Sequence, residues 1–423
     1  MNRREFIATG ALAAAAPGAE TSGQTVSAPA ADFRALFPRL ERERYLAAAA
    51  GTPLSTFTGD ALRAYEDYWR FGPGDGRIDT IRADFAATRS GLADLLGAKP
   101  NEIAFVHCTK EGEQIVLDGL PSIRDGGNVV TNDLHFGGSL GNLLGLQRAG
   151  VDVRIVANRD WRTDIDAMRE AIDDSTALVS VALVSNINGN IEPIRELAEI
   201  AHAHGAYVYA DVIQAAGIVP LDVRAMGIDF AAGNGYKWLF GPHGAGYLYV
   251  AEEHQGSALQ DRVFPGGAWA NYAPWVETPD GALDPVARSE PLDDSRRYEP
   301  GHVGYLNYAA LNAGLRFVAQ VGVEHLLAHS VSLNTRLLDN VDASRSECIT
   351  PDPATSPIVT FLLRDTDGLG ERFAAANLAL GNGPAPRERG PGSPLRQRPR
   401  LRVSPAIYNT ADDMDALAAA MNG

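Results

Sequence analysis

The chain of 423 residues contains only two cysteines, Cys108 and Cys348. Because they are far apart in the sequence, they indicate neither a disulfide framework nor a metal-binding pattern. Positive charge is also scarce, since 37 Lys and Arg stand against 53 Asp and Glu, a formal net charge of −16. A chain this acidic is not expected to bind nucleic acid or an anionic membrane surface. No apolar run reaches the length of a transmembrane helix, so we expect no stable membrane association.

The length and composition indicate a globular protein with more than one domain. Hydrophobic residues make up 45% of the chain, which is enough for a large core. A chain of this length can form two domains that share an interface. We expect an export signal and linker at residues 1–30, an N-terminal segment at 31–60, a large domain at 61–305 and a small C-terminal domain at 306–423.

The first residues have the pattern of a targeting segment. Met1–Ile7 reads MNRREFI, and an Ala-rich stretch follows from Ala8 to Ala16. This resembles a twin-arginine export signal, which has a basic start, a weakly apolar centre and then small residues. A disordered Ala-rich tail is the alternative interpretation. Ala28-Pro29-Ala30 is one candidate cleavage point, and the resemblance implies a periplasmic protein that is exported in the folded state.

Short apolar runs alternate with helical patterns through the middle of the chain. Such alternation predicts a mostly parallel sheet with helices on both faces, and ligands of open sheets of this kind bind at the carboxyl ends of the strands. A strand–helix–strand–helix unit after Ile358 predicts the small domain. The main strands are predicted at Glu102–His107, Asn128–Asn132, Asp152–Val156, Ala177–Val184, Ala206–Ala210, Ile228–Ala232 and Gly246–Val250.

Two of these strands end in residues that could hold a cofactor. Asp211 follows one apolar run, and Lys237 comes three residues after Asn234 at the end of the next. A lysine with a lowered pKa forms a Schiff base with an aldehyde. The pyridine nitrogen of pyridoxal phosphate (PLP) needs an acidic partner so that the ring can act as an electron sink. An isolated pair would more often be a capping Asp and a surface Lys, but the flanking sequence favours a PLP site with catalytic Asp211 and Lys237.

The flanking residues carry a resemblance to a known family. Asp211–Ala215 reads DVIQA, Asn234–Trp238 reads NGYKW, and Gly241–Gly244 reads GPHG. In this order and spacing they resemble the class V aminotransferase family of fold-type I PLP enzymes, which includes cysteine desulfurases, isopenicillin N epimerase and kynureninase. The resemblance extends over residues 40–421. It implies an α/β fold of type I, with a large domain built on a mostly parallel seven-stranded sheet and a small α/β C-terminal domain.

The resemblance also implies the residues that contact the cofactor. Thr109 and Lys110 open a predicted helix whose N-terminus can bind the phosphate, although Thr109 alone would be an ordinary N-cap. His135, just past a strand end, matches a histidine that stacks on the pyridine ring; a lone His would more often be structural. Further matches to cofactor contacts are Asn186 and Gln214 at the phenolic oxygen, and Asn234 and Tyr236 beside the lysine.

Two matches concern the partner subunit and the substrate. Arg297–His302 resembles a motif that reaches the phosphate of the neighbouring subunit, so His302 is a predicted cofactor contact across a homodimer interface. Arg402 matches the arginine that binds the substrate α-carboxylate, a bidentate task suited to a guanidinium group. Without the resemblance, Arg402 would be an ordinary strand-edge arginine.

The sequence departs from the cysteine desulfurases at a decisive place. Those enzymes carry a reactive cysteine on the loop before the substrate arginine. Here that loop, Gly381–Pro399, has four arginines and no cysteine, which disfavours a desulfurase. The arginines indicate either an anionic substrate or a solvated charge run. Asn234 and Tyr236 stand where desulfurases tend to have Ser and His, and they favour the epimerase and kynureninase side of the family.

The sequence therefore predicts a PLP enzyme that acts at the α-carbon of an amino acid or an amine-bearing natural product. Transamination, β-elimination with C–S cleavage, and epimerisation all stay open, because the electrostatics around one carbanion decide its fate. A periplasmic siderophore-tailoring enzyme is one alternative. A non-catalytic binding protein of the same fold is another, but such a protein would be expected to lose Lys237 or Asp211, and both are present.

Overall fold

The structure is a computed structural model that describes residues 33–74, 76–261, 292–381 and 399–423. The predicted export signal and linker at residues 1–30 lie outside these stretches. So do the four arginines of the loop Gly381–Pro399, whose part in substrate binding stays a prediction.

One large sheet forms the centre of the fold. Seven strands, β2 to β8, lie in the order β2-β8-β7-β6-β5-β3-β4. All are parallel except β8, which runs antiparallel to both of its neighbours. The predicted seven-stranded, mostly parallel sheet is therefore confirmed. Along the described chain the strands are β1 Arg44–Tyr45, β2 Ile103–Val106, β3 Asn128–Asn132, β4 Val153–Val156, β5 Thr176–Ala182, β6 Tyr207–Asp211, β7 Phe230–Asn234, β8 Gly246–Val250, β9 Ser346–Cys348, β10 Val359–Leu363, β11 Leu378–Ala379 and β12 Arg400–Val403.

Helices cover both faces of this sheet and build most of the small lobe. In chain order they are α1 Thr56–Phe71, α2 Arg77–Leu96, α3 Thr109–Gly119, α4 Pro121–Arg124, α5 Gly137–Arg148, α6 Ile165–Ala171, α7 Ile194–Ala203, α8 Tyr305–Val321, α9 Val323–Asn340, α10 Leu369–Ala375 and α11 Ala411–Asn422. The apolar spacing of the sequence predicts helices at nine of these places and none at the short α4 and α6.

The central strands are apolar along their whole length because both faces of the sheet are buried. Val130 and Val208 belong to the core on one face, and their neighbours Val129 and Tyr209 belong to the core on the other. Helix α3 lies directly on β7: a Cβ added at Gly112 would be 2.7 Å from the Cβ of Ala232. This close approach requires glycine, and it fixes where the N-terminus of α3 lies relative to the strand ends.

The small lobe is a second sheet with its own core. Strands β12, β10 and β9 form an antiparallel sheet in that order, packed with α9, α10 and α11. Helix α8 packs on α1 and α2 of the large lobe, although the sequence assigned its residues to the small domain. The sequence predicts a helix over Gly368–Leu380, but α10 ends at Ala375, because Asn377 has a φ of 52° and the following residues form β11.

The N-terminal segment ties the two lobes together. Strand β1 pairs in parallel with β11 of the small lobe, and the Ala48 N–H donates to the Ser404 carbonyl at 3.0 Å. The same segment then reaches the large lobe, where Thr52 Oγ1 donates to the carbonyl oxygen of Lys237 at 2.8 Å. The backbone that carries the predicted reactive lysine is therefore held from the N-terminal side.

Candidate active site

A cavity of about 150 Å³ lies where the strands β5, β6 and β7 end. This is the edge at which ligands of open α/β sheets bind. Most of the predicted site residues line it together, from four separate parts of the chain: Thr109, Lys110, Asn186, Asp211, Gln214, Asn234, Tyr236 and Lys237. The predicted residues that do not line it are His135, His302 and Arg402.

Lys237 lies in the short connection between β7 and β8, and its side chain is buried in the cavity wall. The connection is tightly closed, with the Gly241 N–H bonded to the Gly235 carbonyl at 2.9 Å. Burial lowers the pKa of the Lys237 ammonium to about 8; the Asp211 carboxylate opposes this effect, and the Arg402 charge adds to it. An amine with this pKa is nucleophilic near neutral pH, as a lysine that captures an aldehyde must be.

Asp211 is the last residue of β6 and is almost fully buried. Its Oδ1 accepts a hydrogen bond from the Ile213 N–H at 2.9 Å. Burial raises the pKa of the carboxyl above its usual value, while His135, the Ile213 hydrogen bond and Lys237 offset part of this effect. A buried carboxylate that faces a cavity beside a buried lysine suits the acidic partner of a protonated pyridine nitrogen.

The N-terminus of α3 forms the anion-binding end of the cavity. Thr109 and Lys110 occupy its first turn and line the cavity. The free N–H groups of a helix start and the helix dipole attract phosphate, and the Lys110 ammonium adds a positive charge. Cys108, the residue before the helix, is exposed and also lines the cavity.

Three buried polar atoms around the cavity have no hydrogen-bond partner: Thr109 Oγ1, Asn186 Oδ1 and Asn234 Oδ1. Buried polar atoms in proteins are nearly always paired, so these three fit a polar group that occupies the cavity. Gln214 differs, because its Nε2 donates to the Ala49 carbonyl at 2.9 Å and its Oε1 accepts from Trp238 Nε1 at 3.0 Å. Together with Lys237 and Asp211, the unpaired atoms fit PLP.

His135 does not line the cavity of this structure, and its stacking on the pyridine ring stays a prediction. Its ring is 0% exposed and is absent from the cavity wall, whereas a ring that stacks on a bound cofactor needs a face open to the cavity. Its Nε2 lies 3.2 Å from Ser180 Oγ, beneath the site. The next residue, Phe136, is 39% exposed and lines the cavity. Phe136 is therefore a second aromatic side chain at the cavity, and sequence reasoning missed it although it also follows β3.

The remaining predicted residues lie around the cavity. Tyr236 stacks on His243 with ring centroids 4.2 Å apart. Arg402 Nη1 donates to the Asn186 carbonyl at 2.9 Å, so β12 of the small lobe is held against the cavity loop. His302 is exposed, away from the cavity of its own chain. Its predicted contact is with a neighbouring subunit and stays a prediction.

The described stretches contain neither a cluster of metal-binding side chains nor a membrane-spanning helix. Within residues 33–74, 76–261, 292–381 and 399–423, no group of three His, Cys, Asp or Glu side chains could hold a metal ion. In the same parts of the chain, no helix has the length and apolar character needed to cross a membrane.

Comparison with known proteins gives the same family from independent information. A probable cysteine desulfurase of Methanothermobacter thermautotrophicus is 29% identical over 342 residues, which cover 79% of this chain and 82% of the relative. The structure of the cysteine desulfurase CsdA from Escherichia coli matches with a TM-score of 0.78 at 22% identity, covering 93% of this chain and 97% of CsdA. A C-DES mutant with glycine covalently linked to its PLP cofactor matches with a TM-score of 0.74 at 19% identity, over 92% of this chain and 98% of C-DES.

At these identities the two solved structures establish the shared fold and nothing finer. The class-V aminotransferase family itself matches residues 45–417 of this chain. That range includes both lobes, the cavity and each residue that lines it. Because the match extends over most of the chain, the protein belongs to the class-V aminotransferase family and is a PLP-dependent enzyme of fold type I.

Proposed function

We propose that this enzyme acts at the α-carbon of an amino acid or of an amine-bearing natural product, with Lys237 as its reactive amine. The main support for this proposal is the buried Lys237 amine, whose pKa is lowered. It lies in one cavity with Asp211 and three polar atoms that have no hydrogen-bond partner. PLP supplies the electron sink that stabilises a carbanion at the α-carbon. Transamination, β-elimination and epimerisation each begin with loss of one bond at that carbon.

The residues around the cavity have separate tasks in this proposal. Lys237 Nζ binds the cofactor and moves the α-proton, since an amine with a pKa of about 8 can both accept and return a proton near neutral pH. The Asp211 carboxylate keeps a proton at the pyridine nitrogen. The first turn of α3, with Thr109 and Lys110, holds the phosphate. Arg402 binds the substrate α-carboxylate from the small lobe.

We also propose that the reaction does not pass through an enzyme persulfide. The loop Gly381–Pro399, which presents the reactive cysteine in desulfurases, contains none. Cys348 lies on β9 of the small lobe, where burial raises the pKa of its thiol and so disfavours the reactive thiolate. If the substrate is a cysteine conjugate, the sulfur fragment leaves directly by β-elimination, with pyruvate and ammonia as the other products.

A cysteine desulfurase is the second candidate, and two observations favour it. Two of the three relatives described above are named cysteine desulfurases, and Cys108 is exposed in the cavity wall. Its place beside the α3 N-terminus puts Cys108 at the phosphate end of the site, away from a substrate bound by Arg402. Persulfide formation requires a thiolate that reaches the substrate sulfur, so the first candidate is preferred.

The first experiment tests covalent attachment at Lys237. The purified protein should absorb visible light as a PLP enzyme, and borohydride reduction followed by peptide mapping should place the cofactor on Lys237. The Lys237→Ala variant should carry no covalent label, while Lys99→Ala, which removes an exposed lysine of the same chain, should label normally. A Lys237→Ala protein that still forms a covalent PLP adduct would refute the assignment.

A second experiment separates the two candidate reactions. Turnover of amino acids and cysteine conjugates is followed by product analysis, with wild type compared with a variant in which both Cys108 and Cys348 are replaced by Ala. We expect the double variant to keep most of its activity. Loss of activity in a folded, PLP-loaded variant, together with a persulfide detected on either cysteine by mass spectrometry, would favour the desulfurase.

We further propose that the enzyme is exported to the periplasm by the twin-arginine route, where tailoring of a siderophore or another amine-bearing product is a suitable role. The support is the Met1–Ile7 sequence and the Ala-rich stretch that follows. Replacing Arg3 and Arg4 by Lys should move the protein from the periplasmic to the cytoplasmic fraction. Unchanged fractionation of this variant would contradict the proposal, and a periplasmic reporter with its own signal controls for general export.

A further inference from the structure

A buried polar cluster lies behind the cavity wall, between α3 and the sheet. Its centre is Glu113, which is only 1% exposed although it is a charged residue of a helix. The close packing of Gly112 on Ala232 brings this turn of α3 against β7. The titratable groups that interact with the Glu113 charge are His135 after β3 and Tyr209 and Asp211 of β6; Cys108 and Tyr247 interact in turn with Tyr209.

Only one of the two carboxylate oxygens of Glu113 has a hydrogen-bond partner. Its Oε2 accepts from Asn142 Nδ2 of α5 at 2.9 Å. Its Oε1 is buried without a hydrogen bond and lies 3.7 Å from His135 Nε2. A buried carboxylate with an unsatisfied oxygen is costly for the fold, so a role beyond packing has to account for its presence.

The tautomer of His135 follows from its neighbours. The Phe136 backbone N–H can only donate, and it lies 2.9 Å from His135 Nδ1, so Nδ1 accepts. In the neutral ring the proton is then on Nε2. That proton faces Ser180 Oγ at 3.2 Å and Glu113 Oε1 at 3.7 Å. The His135 ring therefore lies between Glu113 of α3 and Ser180 of β5.

The same cluster acts on Asp211. After burial, the positive charge of a protonated His135 has the strongest effect on the pKa of the Asp211 carboxyl and lowers it, whereas the negative charge of Glu113 raises it. Lys237 also lowers this pKa from the cavity side. Two carboxylates, one imidazole and one amine are thus nearly fully buried close to one another, where charge interactions are stronger than in water.

We propose that Glu113 is a positioning residue of the cofactor site: acting through His135, its carboxylate places a negative charge behind Asp211 and thereby favours the protonated form of bound PLP. This inference rests on the proposed function, because it requires PLP bound at Lys237. Glu113 contacts neither the cavity nor the substrate. Its effect is on the charge balance beneath the ring, and through it on the strength of the electron sink.

The test uses the PLP-loaded enzyme and the change of its visible absorbance with pH. Glu113→Gln keeps the shape of the side chain and an acceptor for Asn142 but removes the charge. The pH at the midpoint of the absorbance change should fall by about one unit, which is the size expected when one unit charge is removed from a buried site. Glu113→Asp, which keeps the charge, should stay near the wild-type midpoint. Asp118→Asn, on the exposed side of the same helix, should leave it unchanged.

A combined variant tests the route through His135. In a His135→Gln background, Glu113→Gln should shift the midpoint much less than it does in the wild type. An equal shift in both backgrounds would overturn the route through His135. If Glu113→Gln folds and binds PLP but changes only the melting temperature, and leaves the pH midpoint of the absorbance unchanged, then Glu113 has only a packing role. Absence of any visible band in the wild type would instead contradict the proposed function itself.

Discussion

Glu192 offers the sharpest test of the electrostatics in this structure. It follows the cavity loop that carries Asn186, and it is almost fully buried. One carboxylate oxygen accepts from Asn132 Nδ2 at 3.1 Å, and the other accepts from the Thr163 hydroxyl. Burial raises the pKa of the Glu192 carboxyl from 4.5 to about 7, although these hydrogen bonds oppose the effect. We predict that Glu192→Gln stabilises the protein at alkaline pH.

The sign follows from proton linkage. Between pH 4.5 and about 7 the folded protein retains a proton on Glu192 that the unfolded chain has lost. The contribution of Glu192 to stability is therefore fully present below pH 4.5 and is lost as the pH rises through about 7. The difference between the two pKa values corresponds to about 3 kcal/mol of unfolding free energy.

Glutamine imitates the protonated form at every pH. Its Oε1 can accept from Asn132 Nδ2, and its Nε2 can donate to the Thr163 hydroxyl oxygen, so the hydrogen bonds around the site persist. The variant should therefore match the wild type near pH 4.5. Above pH 7.5 it should be more stable by as much as about 3 kcal/mol, since the wild type then carries a buried charge.

The assay is urea unfolding of the PLP-free protein at a series of pH values from 4.5 to 8.5. Glu199→Gln is the matched control, because Glu199 is exposed on the same α7 that begins just after Glu192. Its unfolding free energy should follow the wild type within about 0.5 kcal/mol at every pH. If Glu192→Gln is less stable than the wild type at pH 8, the hydrogen-bond donors around Glu192 stabilise its ionised carboxylate more than burial destabilises it. That result would refute the prediction.

Three further predictions concern other parts of the protein. At pH 7 the PLP-free Lys237→Met variant should have a higher urea midpoint than the PLP-free wild type, because the wild type holds a buried ammonium with a pKa of about 8. The difference between the two midpoints should narrow between pH 8 and 10.5. Equal midpoints at pH 7 would contradict this prediction. His202 donates to Asp229 at 2.9 Å, a bond that raises the pKa of His202. The stability that this ion pair contributes is therefore present below pH 6.5 and is lost as the pH rises through the pKa of the folded state. His202→Asn should lower the thermal midpoint more at pH 6 than at pH 9, and an equal loss at both pH values would argue against the ion pair. We predict a homodimer with His302 at the partner's site, and light scattering that shows a fully active monomer would rule it out.

The sequence alone determined the architecture and the central chemistry. Short apolar runs in alternation with helical patterns predicted the sheet, because a strand buried on both faces has to be apolar along its length. Asp211 and Lys237 were recognisable because each follows such a run, and parallel strands end at one edge of a sheet. The family resemblance added Thr109 and Asn186, and the structure brings both into the same cavity.

Only the tertiary structure decided the details that depend on the direction of single side chains. His135 and Phe136 are adjacent and both follow β3, yet the loop turns one beneath the site and the other into the cavity. A sequence pattern cannot separate such neighbours, because a change of one position reverses the side on which a residue lies. Likewise, nothing in the local sequence indicates that Glu113 of α3 and Glu192, just before α7, are buried, and only the packed structure shows it. Their electrostatic role comes from exclusion of water by distant parts of the chain, a property of the packed fold that local sequence does not carry.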